Sequence, residues 1–168
     1  SRSLVYFIMP SEYARAAEIF EQIDYRQLAP ANAYYTRFMH GFAYFQIENA
    51  MGALEQANAM LTLSKREPIG YVLAGQALNE LGRRHEALLM LIDAYERNAD
   101  GAGNVRFALD EAYMLRMIAA LCGRLGKLDR AKLYVEEYLL KYPADEAGRS
   151  FLERINEKLG SPDEIPTP

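Results

Sequence analysis

The residues best suited to chemistry are two histidines and one cysteine. His85 is followed by Glu86, but position 89 is leucine, so the zinc-site spacing His-Glu-x-x-His is absent. His40 lies in a run of aromatic residues, which predicts a packed side chain rather than a base. Cys122, in the helical stretch AALCGRL, is predicted to be buried as a small hydrophobic residue. A single cysteine permits neither an intramolecular disulfide nor a thiolate metal cluster.

Acidic pairs and a glycine-rich stretch are the remaining candidates. The pairs at positions 136–137 and 145–146 are adjacent in sequence, so on a helix their carboxylates point in different directions and cannot share a proton. The stretch Gly101-Ala102-Gly103 lacks the third glycine, the preceding strand and the lysine of a phosphate-binding loop, and it is interpreted as a flexible turn. We therefore expect no catalytic residue, no cofactor and no metal site, and the chain is predicted not to be an enzyme.

Composition sets the class of protein that can hold these residues. The 168-residue chain is 51% hydrophobic and 25% charged, which favours one soluble globular domain with a true core. A net charge of −4 argues against nucleic acid as a partner.

No stretch approaches the roughly 18 apolar residues of a membrane span. The apolar residues 4–9 lack a cleavage pattern. Because the sequence starts at Ser1, a processed or excised N-terminus is expected; a cytoplasmic location is expected, with the periplasm or another compartment open.

The elements that must position all residues are pairs of amphipathic helices. Residues 71–95 contain two such runs joined at Gly82, with small residues that permit close packing. Ala53 and Ala87 occupy the same position in consecutive pairs and are 34 residues apart, the period of a tetratricopeptide repeat. Ala131 follows 44 residues after Ala87, and Ala16 fits the same frame. The ten extra residues of the longer interval are assigned to a loop at 98–107.

These patterns predict one domain over residues 1–160. It would comprise a partial first repeat at 1–30, repeats at 31–66, 67–99 and 109–143, a loop insertion at 98–108 and a capping helix at 144–160, followed by a proline-rich flexible tail at 161–168. Helices are expected at residues 10–23, 32–46, 50–63, 110–124, 128–142 and 144–159. The helical hairpin is expected over 71–95, with Pro68 in the first turn of its first helix.

The chain resembles the tetratricopeptide repeat (TPR) family in the residues that its best copy places at the motif positions. These are Tyr71 at the first large position, Ala74 and Gly75 at the Leu-Gly pair, Leu78 at the tyrosine, Gly82 at the turn, and Ala87, Leu91 and Ala94 in the second helix. The chain departs from the family in having no tryptophan, and Ala99 stands where the closing proline is expected.

The resemblance implies an all-α fold, a right-handed superhelical solenoid of antiparallel helix pairs. It would have about three complete repeats, a partial N-terminal repeat and a C-terminal capping helix, with a concave groove lined by the first helix of each pair. The family's groove positions correspond to Tyr35, Phe38, Phe42 and Phe45 in the first complete copy, Ile69, Val72, Gln76 and Asn79 in the second, and Tyr113, Arg116, Ala120 and Arg124 in the third. The groove is thus expected to be aromatic at one end and basic at the other.

The resemblance also implies a function. Relatives that hold chaperone tails use a clamp of Lys and Asn at positions occupied here by Phe38, Phe42, Val72 and Gln76, so that ligand is disfavoured. We expect a noncatalytic protein–protein interaction module, an adaptor, scaffold or chaperone, which binds a segment with apolar anchors and an acidic residue near Arg116 and Arg124. An oligomerisation element and an accessory domain of a larger enzyme are the alternatives.

Two competing interpretations bear on the groove residues. The aromatic residues between positions 34 and 45 could be covered by the N-terminal segment or by a second copy of the chain, since large apolar patches are usually buried. Arg116 and Arg124 could instead be solvated residues that pair with nearby acids, interactions that contribute little to stability.

Overall fold

The computed structural model describes residues 10–99 and 110–160. In these two ranges the chain forms eight α-helices and one short 3-10 turn at Tyr25–Gln27. The helices are α1 (Pro10–Glu21), α2 (Pro30–Gln46), α3 (Ala50–Leu63), α4 (Pro68–Glu80), α5 (Arg84–Ala99), α6 (Glu111–Arg124), α7 (Leu128–Lys141) and α8 (Glu146–Gly160).

Each helix packs against the next one in the chain, and α2 also packs against α4. The pairs α2/α3, α4/α5 and α6/α7 form three helical hairpins, with α1 before them and α8 after them. The predicted all-α solenoid is therefore confirmed. No helix in the described ranges combines the length and the apolar character that a membrane span requires.

Local sequence explains where the helices begin. Pro30 and Pro68 are the first residues of α2 and α4, where a missing backbone N–H costs nothing. Asn49 caps α3 and Asp110 caps α6, because the side-chain oxygen of each accepts a hydrogen bond from a backbone N–H in the first turn, at 2.9 and 3.0 Å. The first helices of all three hairpins are thus set by proline or by an acidic cap.

The three hairpin turns share one backbone geometry. Gly82 and Gly126, which follow α4 and α6, have φ angles of +77° and +70°. The equivalent residue after α2 is Glu48, with a φ of +61°. A non-glycine residue is rare in this left-handed region, and the conformation costs roughly 1–2 kcal/mol. The first hairpin therefore closes at a strained residue, while the other two close at glycine.

The hairpins are held together by small residues that face each other. A Cβ atom added to Gly75 would lie 2.7 Å from Leu91 Cγ and 3.3 Å from the carbonyl oxygen of Ala87. A Cβ atom on Gly41, 34 residues earlier, would lie 2.6 Å from Leu73 Cδ2. At Gly75 and Gly41 a larger residue would therefore require neighbouring atoms to shift.

The aligned alanines lie in the core, as their spacing predicts, with one exception. Ala53, Ala87 and Ala131 have no exposed surface. In α1, however, Ala17 is 2% exposed and Ala16 is only partly buried, so the assignment of Ala16 to this frame is wrong by one residue. The shift arises because α1 docks on α2 through the face of Tyr13 and Phe20, which places Ala17 at the interface.

Cys122 has no exposed surface, which confirms its predicted burial. Burial raises the pKa of its thiol, so the side chain stays protonated.

His40 is enclosed by aromatic rings where α1 meets α2. It is 3% exposed, and its ring lies 4.4 Å from that of Tyr44 and 5.5 Å from that of Phe20, measured between centroids. The hydroxyl of Tyr25 is 2.9 Å from His40 Nδ1. The prediction of a packed histidine is confirmed. Burial lowers the pKa of His40 below its ordinary value of 6.5, and Arg37 acts in the same direction, whereas Glu21 opposes the shift.

Some expected segments lie outside the described residues: the apolar lead-in at 4–9, most of the loop insertion at 98–108 and the tail at 161–168. Helix α5 runs through Ala99, so residues 98 and 99 are helical and not part of a loop.

We expect Gly75→Ala to destabilise the protein. The added methyl group would overpack the α4/α5 contact, and the gain in helix propensity offsets only part of that cost, leaving a net loss on the order of 1–2 kcal/mol in the free energy of unfolding. Urea unfolding at 25 °C measures it. Gly160→Ala is the control, since a methyl group there meets nothing in the described part of the chain. Equal stability of the two variants would show that the close approach at Gly75 is unimportant.

We expect His40 to make stability pH-dependent. Its folded-state pKa lies below that of the unfolded chain, so the unfolded state binds the proton more readily and the free energy of unfolding falls as pH drops through about 6.5. The measurement is urea unfolding at pH values between 7.5 and 5. His40→Gln should show a smaller loss over this window than the wild type. His85→Gln, which replaces the exposed histidine, is the matched control. A wild-type profile unchanged in His40→Gln would contradict this assignment.

Candidate protein-binding groove

The predicted groove positions of α4 and α6 meet directly. Gln76 Nε2 donates a hydrogen bond of 2.7 Å to the hydroxyl oxygen of Tyr113, and both side chains are partly buried. Since α4 and α6 are the first helices of consecutive hairpins, this bond links their two groove faces. The structure therefore brings together the second and third sets of predicted residues at Gln76 and Tyr113.

Two of the predicted groove residues are unavailable to a partner. Ile69 is 8% exposed and Val72 is 5% exposed, and both belong to the hydrophobic core. Their assignment to the groove is corrected, because α4 packs against α2, α3 and α5 and has little free surface. Asn79 is partly buried, and its Oδ1 atom has no hydrogen-bond partner among the described residues. In the middle of the groove, Gln76 is thus the residue of α4 best placed to meet a ligand.

The aromatic end is partly occupied by the protein itself. The rings of Phe42 and Tyr13 of α1 meet edge to face at 5.9 Å, and Phe38 and Phe42 lie 6.1 Å apart. Tyr35, Phe38 and Phe45 are half-buried and pack against the main core. The interpretation that the N-terminal segment covers these aromatics is correct for Phe42.

Two further side chains tie the aromatic end to its surroundings. The Arg37 guanidinium lies 4.0 Å above the ring of Tyr25, and its Nη1 donates to Gln56 Oε1 at 2.9 Å. The Tyr44 hydroxyl donates to Glu21 Oε1 of α1 at 2.6 Å. Arg37 stands where the family has an aromatic residue, and it stabilises the packing of α2 on both sides. This end of the groove is therefore largely structural.

The basic end is open. Arg116, Ala120 and Arg124 are all exposed and follow one another at four-residue intervals on α6, so they form one face of that helix. Neither arginine forms an ion pair with any carboxylate in residues 10–99 and 110–160. The interpretation that Arg116 and Arg124 pair with nearby acids is therefore wrong for the described ranges.

A cavity of about 150 Å³ adjoins this face, at the junction of α6, α7 and α8. Its lining is mainly apolar and includes Ala119, Ala120, Val135, Tyr138 and Phe151. A larger recess of about 810 Å³ shares Ala120 and Phe151 with it and is also lined by Arg124, Arg154 and Lys158. We call the two cavities together the α6–α8 junction.

Phe151, Arg154 and Lys158 were missed at the sequence level. Helix α8 is predicted to be a capping helix, which leaves its residues out of the predicted groove. The signal was nevertheless present, because these three residues are spaced by three and four positions and share one face of α8. Treating α8 as the first helix of another repeat would have placed this face beside the exposed face of α6.

The remaining candidates for chemistry have structural partners. Glu137 accepts a hydrogen bond from the Tyr95 hydroxyl, whereas the adjacent Glu136 lies 3.9 Å from Lys132 Nζ. Asp145 caps α8 by accepting a hydrogen bond of 2.8 Å from the backbone N–H of Gly148. The carboxylates of Glu136 and Glu137 thus have different partners, as expected of adjacent helical residues.

Comparison with known proteins supplies a fold but no family. No protein-family model matches the chain, and no curated protein matches it in sequence. A crystal structure of MamA is similar to it with a TM-score of 0.74 over 93% of this chain and 87% of that one, at 15% sequence identity. A second crystal structure of MamA protein gives a TM-score of 0.67 over 90% and 82% of the two chains, at 16% identity. MamA is a TPR-like helical repeat protein, so the chain has the fold of a right-handed TPR-like solenoid.

Proposed function

We propose that this chain is a noncatalytic protein-interaction module, an adaptor, scaffold or chaperone, that holds a segment of a partner protein in its concave groove. The observation that carries the proposal is the exposed face of α6, where two arginines without ion pairs in the described ranges flank Ala120 beside an apolar cavity. Concave surfaces of stacked helical hairpins are extended binding surfaces by virtue of their shape.

The chemistry of this face favours a protein segment as the ligand. Arginine and aromatic side chains contribute most of the binding energy at protein interfaces. The groove combines Tyr113, Arg116 and Arg124 with the neighbouring Tyr138 and Phe151, so it offers both residue types within one surface. A partner segment with aliphatic or aromatic anchors and an acidic residue would match it.

The noncatalytic part of the proposal rests on what the reactive groups do. His40 is packed between aromatic rings, Cys122 is buried, and Asp145 caps a helix. Each of these groups has a structural role that accounts for its presence.

Photo-crosslinking tests the location of the partner. We would replace Gln76 or Tyr113, one at a time, with p-benzoylphenylalanine and irradiate cells that contain the chain. Both positions lie where α4 and α6 meet, so a segment held in the groove would react there and give a discrete crosslinked product on a denaturing gel. These substitutions leave the α6–α8 junction unchanged.

The control positions are Arg84 and Arg130, which are exposed on the second helices α5 and α7. We expect them to give no product with the same partner. Crosslinking from the control positions alone, or equally from all four positions, would contradict binding in the groove.

A second candidate function is assembly into a larger complex, and one observation favours it. Leu89 and Leu133 stand two residues after the aligned alanines of consecutive hairpins and are 61% and 65% exposed. Leu140, two helical turns after Leu133 on α7, is 84% exposed. Single exposed leucines are common on monomers, but Leu133 and Leu140 are seven residues apart and share one face of α7, so they form an apolar row that a self-contact would bury.

Light scattering tests the assembly hypothesis. If it is right, the wild-type chain should be a dimer or larger at micromolar concentration. The variant Leu133→Ser/Leu140→Ser should be shifted towards the monomer because it loses the apolar row of α7. Ala120→Ser, on the groove side, is the control and should keep the wild-type mass. A strictly monomeric wild type would count against this function.

A further inference from the structure

The α6–α8 junction has features that specify a ligand more closely than the groove as a whole. Its smaller cavity, about 150 Å³, is the size of an internal cavity that holds one benzene molecule. Its walls include the side chains of Ala120, Val135, Tyr138 and Phe151. The cavity therefore has the volume and the apolar lining for one aromatic ring or one large aliphatic side chain.

Two arginines stand over the aromatic walls of this cavity. The Arg116 guanidinium carbon lies 6.0 Å from the ring centroid of Tyr138, and that of Arg154 lies 5.8 Å from the ring centroid of Phe151. These distances are at the outer limit of a cation–π contact. Both guanidinium groups thus lie close to the aromatic walls of the cavity.

Positive charge is concentrated here in a chain that is acidic overall. Arg116, Arg124, Arg154 and Lys158 are all exposed, and none forms an ion pair with an acidic residue in the described ranges. The net charge of the whole chain is −4. Two acids also line the junction: Glu157, in the larger recess, and Asp145, whose carboxylate is engaged as the cap of α8.

Resting on the groove function proposed above, we propose that the α6–α8 junction binds an acidic peptide segment that carries one aromatic anchor. The anchor side chain fills the apolar cavity, and carboxylates on either side of it pair with Arg116 at the mouth and with Arg124, Arg154 and Lys158 in the recess. Arginine favours this arrangement because its planar guanidinium can hold a carboxylate through two parallel hydrogen bonds.

The same features disfavour nucleic acid as the occupant. Polyanion binding draws its affinity from many phosphate contacts, and it is opposed by a negative net charge on the protein. Four cations around a cavity of single-ring size match a few carboxylates and one side chain better than a phosphate backbone.

Fluorescence anisotropy with the full chain tests this assignment. The probe is a fluorescein-labelled octapeptide with one phenylalanine between two pairs of glutamates, flanked by glycines. Replacing its phenylalanine with alanine, or its glutamates with glutamines, should each weaken binding by about tenfold or more, because anchor and charge contribute separately. Raising the salt concentration from about 0.05 to 0.5 M should weaken the parent peptide severalfold.

Protein variants locate the site. Arg116→Glu/Arg124→Glu should reduce affinity by about tenfold or more, and Ala120→Phe should do the same by filling the mouth of the cavity. Arg84→Glu/Arg130→Glu makes the same change in net charge on exposed residues of α5 and α7 and should leave affinity unchanged. Circular dichroism checks that each variant is folded.

Several results would overturn the proposal. One is an equal loss of peptide affinity in the two double arginine variants. Another is a peptide affinity that does not change when phenylalanine is replaced. A third is tighter binding of a single-stranded DNA of about 20 nucleotides at the same salt concentration. A tenfold gain in peptide affinity on removal of residues 161–168, which include Asp163 and Glu164, would make the chain's own tail the occupant and would also overturn it. If the peptide does not bind at the α6–α8 junction but crosslinking at Gln76 and Tyr113 succeeds, only this inference is wrong and the proposed function is still supported.

Discussion

The structure depends on the close approach of paired helices at positions where no side chain larger than a methyl group fits. Gly41 faces Ala53 and Gly75 faces Ala87, with the carbonyl oxygens of the alanines 3.5 and 3.3 Å from the ideal Cβ positions of the glycines. Ala119 and Ala131 are the corresponding buried pair of the third hairpin. Because the small residues are used at the contact within each pair, the remaining apolar residues can be buried only against the neighbouring pair. The pairs therefore stack.

Stacking in turn divides the groove into parts with different freedom. At the N-terminal end α1 docks against α2, and the rings of Tyr13, Phe20 and Tyr25 pack against the aromatic residues of α2. At the C-terminal end α8 packs against α7 and leaves a cavity beside α6. The aromatic surface of α2 is therefore largely buried at one end, whereas the basic surface of α6 at the other end is exposed to solvent. The side chains available for recognition are therefore those of α6, whose basic face no other helix in the described ranges covers.

Much of this arrangement could be predicted from sequence, because periodicity reports directly on buried faces. The 34-residue spacing of alanines, the glycines at 82 and 126 and the proline start of α4 each correspond to a structural element. The burial of Ile69 and Val72 could not be predicted from the motif, because it depends on residues of the neighbouring hairpins. Ile69 belongs to the core cluster that includes Tyr34 of α2, and Val72 to the cluster that includes Met114 of α6. The spacing of Phe151 and Arg154 predicts that they share one face of α8, but whether that face lies beside α6 depends on where α8 docks.

Glu48 has a consequence for the order in which the stack comes apart. In a linear array each unit is stabilised by itself and by its immediate neighbours, so the units at the ends open at lower free energy than those in the middle. The first complete hairpin carries an added local cost because its turn places Glu48 at a φ of +61°, whereas the next two turns use glycine. Amide hydrogen exchange should consequently be graded along the chain, fastest in α2 and α3 among the three hairpins. The most stable cooperative unit would then be the α4/α5 hairpin, and loss of structure would proceed from the N-terminal side inwards.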